Sequence, residues 1–343
     1  MQFVSVQNVI DLIGARGLEP LLIEMADYLA QDFARWTLFD KAPRYASHSK
    51  DGVIELMPTS DGERFAFKYV NGHPANTAAG LQTVTAFGVL ADVATGYPEM
   101  IAEMTILTAL RTAATSALAA RKLARPDSKT MAIIGLGAQS EFQAHAFKAL
   151  MGVRNLRVYD IDPAATRKFL SNMAGAGFDI IVADSVRDAV WVADIITTVT
   201  ADKKYATILT DDMVGPGVHL NAVGGDCPGK TELDAAIVAR SSVFVEFEPQ
   251  TRIEGEIQQM PADFRVTEFW RVVTGEAPGR RSAGEITLFD SVGFAMEDFS
   301  ALRLLRDLVT GTSFCSEIDL IAGPADPRNL FGLLAPTRER AAA

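Results

Sequence analysis

Asp226 and Lys230 stand in the stretch His219-Leu220-Asn221-Ala222-Val223-Gly224-Gly225-Asp226-Cys227-Pro228-Gly229-Lys230, where a short apolar run ends in two glycines, an acid, a Pro-Gly pair and a base. Glycines let a backbone pass close to a ligand, and Pro-Gly forces a turn. Such a turn would present Asp226 and Lys230 at the mouth of an open α/β sheet, where ligands bind beyond the carboxyl ends of the strands. An ordinary surface turn has the same composition, so the loop does not decide by itself.

Charged residues inside apolar elements form a second candidate group. Glu55 interrupts Val53-Ile54-Glu55-Leu56-Met57, where Val53, Glu55 and Met57 share a face at period two. Lys68 interrupts Phe65–Val70 and shares a face with Ala66 and Val70. Burying either charge alone is costly, so each needs a partner or a ligand. One acid and one base would suit a zwitterionic amino acid; pairing with each other, or exposure to solvent, fits the pattern equally. Arg44 precedes a polar, turn-like stretch and is undecided on its own. Arg111 sits among small apolar residues of a helix, Ala109–Ala114, where it either snorkels to solvent or meets an anion such as a substrate carboxylate.

A third group reads as a dinucleotide fingerprint. The strand Met131–Ile134 runs into Gly135-Leu136-Gly137-Ala138-Gln139-Ser140, and a helix begins at once. The first glycine permits the tight turn; the second lets a pyrophosphate approach the helix N-terminus, whose free N–H groups favour anions. Ser140 stands where a third glycine is usual. The next strand, Leu156–Tyr159, ends in Asp160, near the spacing of about 20 residues for a ribose-binding carboxylate. That acid would repel a 2′-phosphate, which favours NAD over NADP. Ser291, after the strand Ile286–Phe289 and Asp290, either caps a helix or meets the nicotinamide end.

These residues need elements to position them. Residues 130–310 alternate apolar strands with helical stretches such as Glu141–Leu150 and Pro163–Met173, the pattern of a doubly wound parallel sheet. Residues 41–104 show strands at Val53–Met57, Arg64–Val70 and Val84–Val93 separated by turn signals, an antiparallel or mixed sheet. Residues 105–124 form one alanine-rich helix between the two. The expected organisation is a Rossmann-type α/β domain over 113–310, and a smaller α+β domain from 1–112 with 311–343.

Composition narrows the class. The chain of 343 residues has 48% hydrophobic and 22% charged residues, which describes an ordinary globular protein, and a net charge of −11 argues against nucleic acid as a partner. No secretory signal or run of about 18 apolar residues is visible, so a cytoplasmic protein with no membrane partner is expected. His48, His73, His145 and His219 lack metal-ligand spacing, so no metal is expected. Cys227 and Cys315 make no disulfide framework, and Cys227 reads as a small buried thiol.

The sequence resembles the ornithine cyclodeaminase/mu-crystallin family. The likeness is carried by Ala46–Ser49, Val53–Pro58, Phe67–Asn76, Ala109–Ser116, Gly137–Gln143, Asn221–Lys230 and Arg252–Gln259, and extends from about residue 20 to 320. Ser140 agrees with the family pattern. The resemblance implies a homodimer that binds NAD tightly, and it assigns substrate binding and dimerisation to the smaller domain, 1–112 with 311–343. It implies that Arg44, Lys68 and Arg111 hold a substrate carboxylate, that Glu55 faces the substrate amines, and that Asp226 is the catalytic acid/base beside Glu55. Met57 and Val292 would line the substrate pocket. Cofactor contacts would come from Thr83, Arg111, Gly135, Gly137, Ala138, Gln139, Asp160, Thr200, Leu220, Asn221, Ala222, Val223, Lys230 and Ser291.

The activity implied is conversion of L-ornithine to L-proline and ammonia by NAD-dependent internal hydride transfer through an imine, with no net redox change. A lysine cyclodeaminase, an alanine dehydrogenase and a cyclic-imine reductase are the alternatives on the same fold. A non-catalytic, crystallin-like NAD-binding protein is the alternative from another class.

Overall fold

A computed structural model describes residues 1–201, 207–225 and 227–334. Two sheets organise it. The first contains β1 (Gln2–Val4), β2 (Tyr45–His48), β3 (Val53–Ser60), β4 (Arg64–Gly72), β5 (Ala86–Asp92) and β6 (Pro98–Glu103). The second contains β7 (Thr130–Ile134), β8 (Asn155–Tyr159), β9 (Asp179–Val182), β10 (Ile195–Thr198), β11 (His219–Ala222), β12 (Ser242–Val245), β13 (Thr267–Glu268) and β14 (Thr287–Asp290). A short strand from the tail, β15 (Ser316–Glu317), returns to the first sheet and pairs antiparallel with β1.

The first sheet runs β15-β1-β6-β5-β4-β3-β2, antiparallel except where β1 lies parallel to β6. Its central strands alternate strictly. In β3, Val53, Glu55, Met57 and Thr59 are buried while Ile54, Leu56 and Pro58 are exposed. In β4, Ala66, Lys68 and Val70 are buried. The face that carries the charges therefore points inward, and part of the apolar face points out. The helix Ala295–Val309 covers the inward face of β3, β4 and β5.

The second sheet is parallel throughout, in the order β13-β12-β14-β11-β10-β7-β8-β9. Its central strands β10, β11 and β14 are buried on both faces, as sheets covered by crossover helices require. Alternate residues of β7 feed separate cores: Met131 and Ile133 join the one shared with the first sheet, Ala132 and Ile134 the one on the far side. The chain leaves β7 toward β8 and β9 on one side and later fills β10, β11 and β14 on the other. That reversal places a topological switch point between β7 and β10, where an open α/β sheet has its ligand crevice.

The helix Thr105–Leu123 joins the sheets and is buried on nearly every side. Its alanines let the helices Leu18–Ala34 and Ser140–Met151 approach closely. Burial of this kind fixes the direction of Arg111, which cannot rotate out to water.

Candidate active site

Strand register brings the ends of the parallel strands into line. Ile134 is level with Tyr159 and Thr198, Thr198 with Ala222, and Ala222 with Asp290. Gly135, Asp160, Thr200, Val223 and Ser291 follow those residues within one or two positions, so all five leave the sheet along one carboxyl edge. Leu220, Asn221 and Ala222 lie buried in β11 beneath it.

The glycine loop fits a dinucleotide. Gly135 has a φ of +97°, and a Cβ there would lie 2.9 Å from the Val199 carbonyl oxygen, so only glycine makes this turn against β10. Gly137 and Ala138 are exposed at the loop tip, and nothing fills the space beside Gly137. Gln139 Oε1 and Asn221 Oδ1 are buried without a hydrogen-bond partner among the described residues, two acceptors left for a ligand. Asp160 accepts from Leu136 N at 2.6 Å and from Asp162 N at 2.8 Å, which ties the loop to the end of β8. Lys230 is buried and donates to the Thr200 carbonyl at 2.9 Å. Asp226 lies outside the described residues. Thr83 belongs to the loop between β4 and β5, where its carbonyl accepts from His73 N at 2.8 Å, remote in its described contacts from the second sheet.

Three readings of single residues change. Ser291 caps no helix: the helix Ala295–Val309 starts four residues later without a side-chain cap, and Ser291 Oγ donates instead to Glu246 at 2.7 Å. Cys227 is half-buried rather than buried, in a turn where its carbonyl accepts from Lys230 N at 3.1 Å and from Gln258 Nε2 at 3.4 Å. Gly224 meets a side chain of the protein: a Cβ there would lie 2.2 Å from Glu232 Oε1, so the loop packs directly on a buried carboxylate.

The charges of the first sheet converge over this edge. Neither predicted pairing of Glu55 with Lys68 nor exposure of the two occurs. Glu55 accepts from Arg44 Nη1 at 3.1 Å, and Lys68 reaches both oxygens of Asp298, at 2.9 and 2.8 Å. Arg111 neither snorkels nor stands free: Nη1 is 2.7 Å from Glu297 and Nε is 3.0 Å from Asp298. Arg44 Nη2 donates to the carbonyls of Val292 and Gly293 at 2.6 and 2.7 Å, and Nε lies 3.1 Å from Glu254, an ionic contact across the two sheets. Gly293 adopts a φ of +75°, and a Cβ there would sit 2.6 Å from Arg111 Nη1. One turn of chain thus touches both arginines. Met57 and Val292 are buried beside this cluster.

Burial dominates the electrostatics. It pushes the Lys68 ammonium down to about 8, with Asp298 opposing and Arg111 reinforcing the fall. Burial pushes the Glu297 carboxyl up to about 8 despite Arg111, while Asp298 stays below its ordinary range because Arg111 and Lys68 outweigh its own burial. Glu246 is raised by burial too. The result is three cations in a dry site with unlike counter-ions: burial disfavours the charge of Glu297, whereas Asp298 is held ionised between Arg111 and Lys68.

Glu246, Glu254, Glu297 and Asp298 line this cluster, and the sequence reading passed over them. The signal was available: Glu297-Asp298 interrupts the apolar run from Val292 to Leu305, as Glu55 and Lys68 interrupt theirs.

Comparison with known proteins agrees with this geometry. The sequence model of the ornithine cyclodeaminase/mu-crystallin family matches residues 6–313. The chain is 64% identical over 332 residues to an ornithine cyclodeaminase of Brucella suis biovar 1, covering 97% of this chain and 93% of that protein. Among solved structures, it resembles a lysine cyclodeaminase studied for recognition of L-lysine, L-ornithine and L-2,4-diaminobutyric acid, with a TM-score of 0.89 and 31% identity over 95% of this chain and 97% of that one. It also resembles an archaeal alanine dehydrogenase dimer with bound NAD, with a TM-score of 0.85 and 28% identity over 94% of this chain and 99% of that one.

Proposed function

The chain belongs to the ornithine cyclodeaminase/mu-crystallin family, and we propose that it is an NAD-dependent ammonia-lyase that converts L-ornithine to L-proline and ammonia. The observation that carries this reading is the buried set of Arg44, Lys68 and Arg111, with Glu55 beside it, facing the carboxyl edge of a dinucleotide-type sheet. Three cations suit an α-carboxylate; the one acid, Glu55 on β3, suits a second, terminal amine. Incubation with L-ornithine and a catalytic amount of NAD⁺ tests it: proline and ammonia form in equal amounts and NADH does not accumulate. Absence of both products would overturn the reading. A parallel reaction with L-lysine ranks the two substrates, since one methylene is worth only about 1–3 kcal/mol of discrimination.

NAD would be held by the loop Gly135–Gln139, by Asp160, and by Arg111, Thr200, Leu220–Val223, Lys230, Ser291 and Thr83. When bound, it supplies a hydride acceptor at the start of the cycle and a hydride donor at its end, so redox change cancels. The chain supplies the rest. Arg44, Lys68 and Arg111 fix the substrate carboxylate and restrict its motion, the proximity contribution to catalysis. Glu55 faces the amines and holds the terminal one near Cα, where it attacks the imine and closes a five-membered ring. Asp226 takes a proton from the α-amine and returns one to the departing ammonia. Met57 and Val292 keep water from the imine.

The exposed apolar face of the first sheet supports association with a second copy. Ile54, Leu56, Phe65 and Phe87 are 38–42% exposed on neighbouring strands, and Tyr69 stacks on Phe87 with ring centres 5.1 Å apart. Contiguous apolar surface of this kind marks an interface. Light scattering on the purified protein should give twice the mass of one chain. No helix among the described residues is long and apolar enough to cross a membrane, and the cytoplasm, where ornithine and NAD are both available, is the compartment this reading assigns.

A further inference from the structure

The helix Ser140–Met151 starts directly after the glycine loop, and its first turn carries an acid, Glu141. A carboxylate is favourable at a helix N-terminus. It is unfavourable beside a pyrophosphate, which the same N-terminus would bind if NAD occupies this edge as proposed above. The acid is not left bare. Lys168, from the helix Pro163–Asn172 that follows Asp160, places Nζ 2.7 and 3.0 Å from the two oxygens of Glu141 and also donates to the Gly137 carbonyl at 3.0 Å. Asn172, on the same helix, donates to Glu141 Oε1 at 2.9 Å, and Ser140 Oγ lies 2.9 Å from Oε2. The Glu141 side chain is only 15% exposed, so its charge is poorly screened by water, whereas Lys168 is 40% exposed.

We propose that Lys168 is a positioning residue for the dinucleotide. It cancels the Glu141 charge at the phosphate-binding helix terminus and pins the Gly137 carbonyl, so that the loop keeps its N–H groups, and not a net negative charge, toward the cofactor. Two helices that flank β8 are thereby coupled: the one that would receive the pyrophosphate and the one that follows the ribose-binding acid.

Isothermal titration with NAD⁺ on the purified protein tests this without recourse to turnover. Lys168→Ala should raise Kd roughly fivefold to tenfold, the effect of one uncompensated charge close to two phosphates. Lys168→Gln, which keeps the stem, should do the same. Glu141→Gln alone should leave Kd unchanged or lower it. The double variant, Lys168→Ala with Glu141→Gln, should return to within about twofold of the wild type, a rescue that neither a packing role nor a direct lysine–phosphate contact would produce. Unchanged affinity in Lys168→Ala overturns the proposal, as does a double variant that binds as weakly as the single one. Failure of the wild type to bind NAD⁺ is a separate outcome and would sink the cofactor reading instead.

Discussion

Lys68 and Asp298 lie 2.8 Å apart with both side chains 2% exposed, joining the middle of β4 to the first turn of the helix Ala295–Val309. Asp298 is also the partner of Arg111 Nε, so one carboxylate orders two of the three cations that would hold the substrate.

Breaking that pair should be costly. Asp298→Asn leaves two buried cations short of a counter-ion, and removal of one partner from a buried ion pair typically costs about 3–5 kcal/mol. Urea unfolding at neutral pH measures it. A loss below about 1 kcal/mol would show that water reaches the cluster.

The same lysine sets a pH limit on substrate affinity. Burial lowers its pKa to about 8, and the group holds a carboxylate only while protonated. KM for L-ornithine should therefore be flat below about pH 8 and climb above it as the ammonium loses its proton. Lys68→Arg, which stays charged, should remove the climb. A KM that is level to pH 10 in the wild type contradicts the assignment.

Asp290 gives a pH dependence of opposite origin. Burial raises its pKa from 3.8 to about 7, with Glu246 adding to the shift and hydrogen bonds from Glu256 N and Ile257 N opposing it. The folded state prefers the protonated carboxyl, so its stabilising contribution is complete below pH 3.8 and is lost as pH rises through 7. The size is about 4 kcal/mol across that window at most. In Asp290→Asn the loss disappears. Melting temperatures of variant and wild type, compared from pH 4 to 8, should shift in favour of the variant as pH rises.

Asp226→Asn should bind NAD⁺ with nearly the wild-type Kd and lose about 10²–10⁴-fold in kcat, the usual contribution of a general acid/base. Rates of ammonia release measured at saturating L-ornithine decide it. Turnover within about tenfold of the wild type would move the proton-transfer role elsewhere.

Gly293→Ala should raise KM for L-ornithine more than it lowers kcat. The new methyl would meet Arg111 2.6 Å away at a φ of +75°, and displacement of that guanidinium disturbs carboxylate binding before chemistry. Steady-state kinetics with a parallel NAD⁺ titration separates this from general misfolding.

Much of this architecture was legible in the chain. Period-two patterning grouped Val53, Glu55 and Met57 on one face of β3 correctly, because alternation in a strand leaves no third choice, but it left open whether that face met the core or solvent. The glycine loop and Asp160 were legible because a strand-turn-helix needs those residue types at those places. Partner choice was not. Nothing local in the sequence says that Lys68 meets Asp298, 230 positions away, rather than Glu55 on the adjacent strand. The helix Val6–Arg16, announced by a capping box at Ser5 and Asn8, and the helix Leu18–Ala34 also went unread. Their apolar residues lie in a core whose other half comes from the helices Thr105–Leu123 and Ala295–Val309.

The alternation in β3 has a practical corollary. Leu56, facing out, and Glu55 and Met57, facing in, are successive residues of one backbone, so along β3 the surface that would meet a second copy and the surface that would meet the substrate share one piece of main chain. A library built on β3 to broaden specificity should therefore be screened for mass as well as for rate.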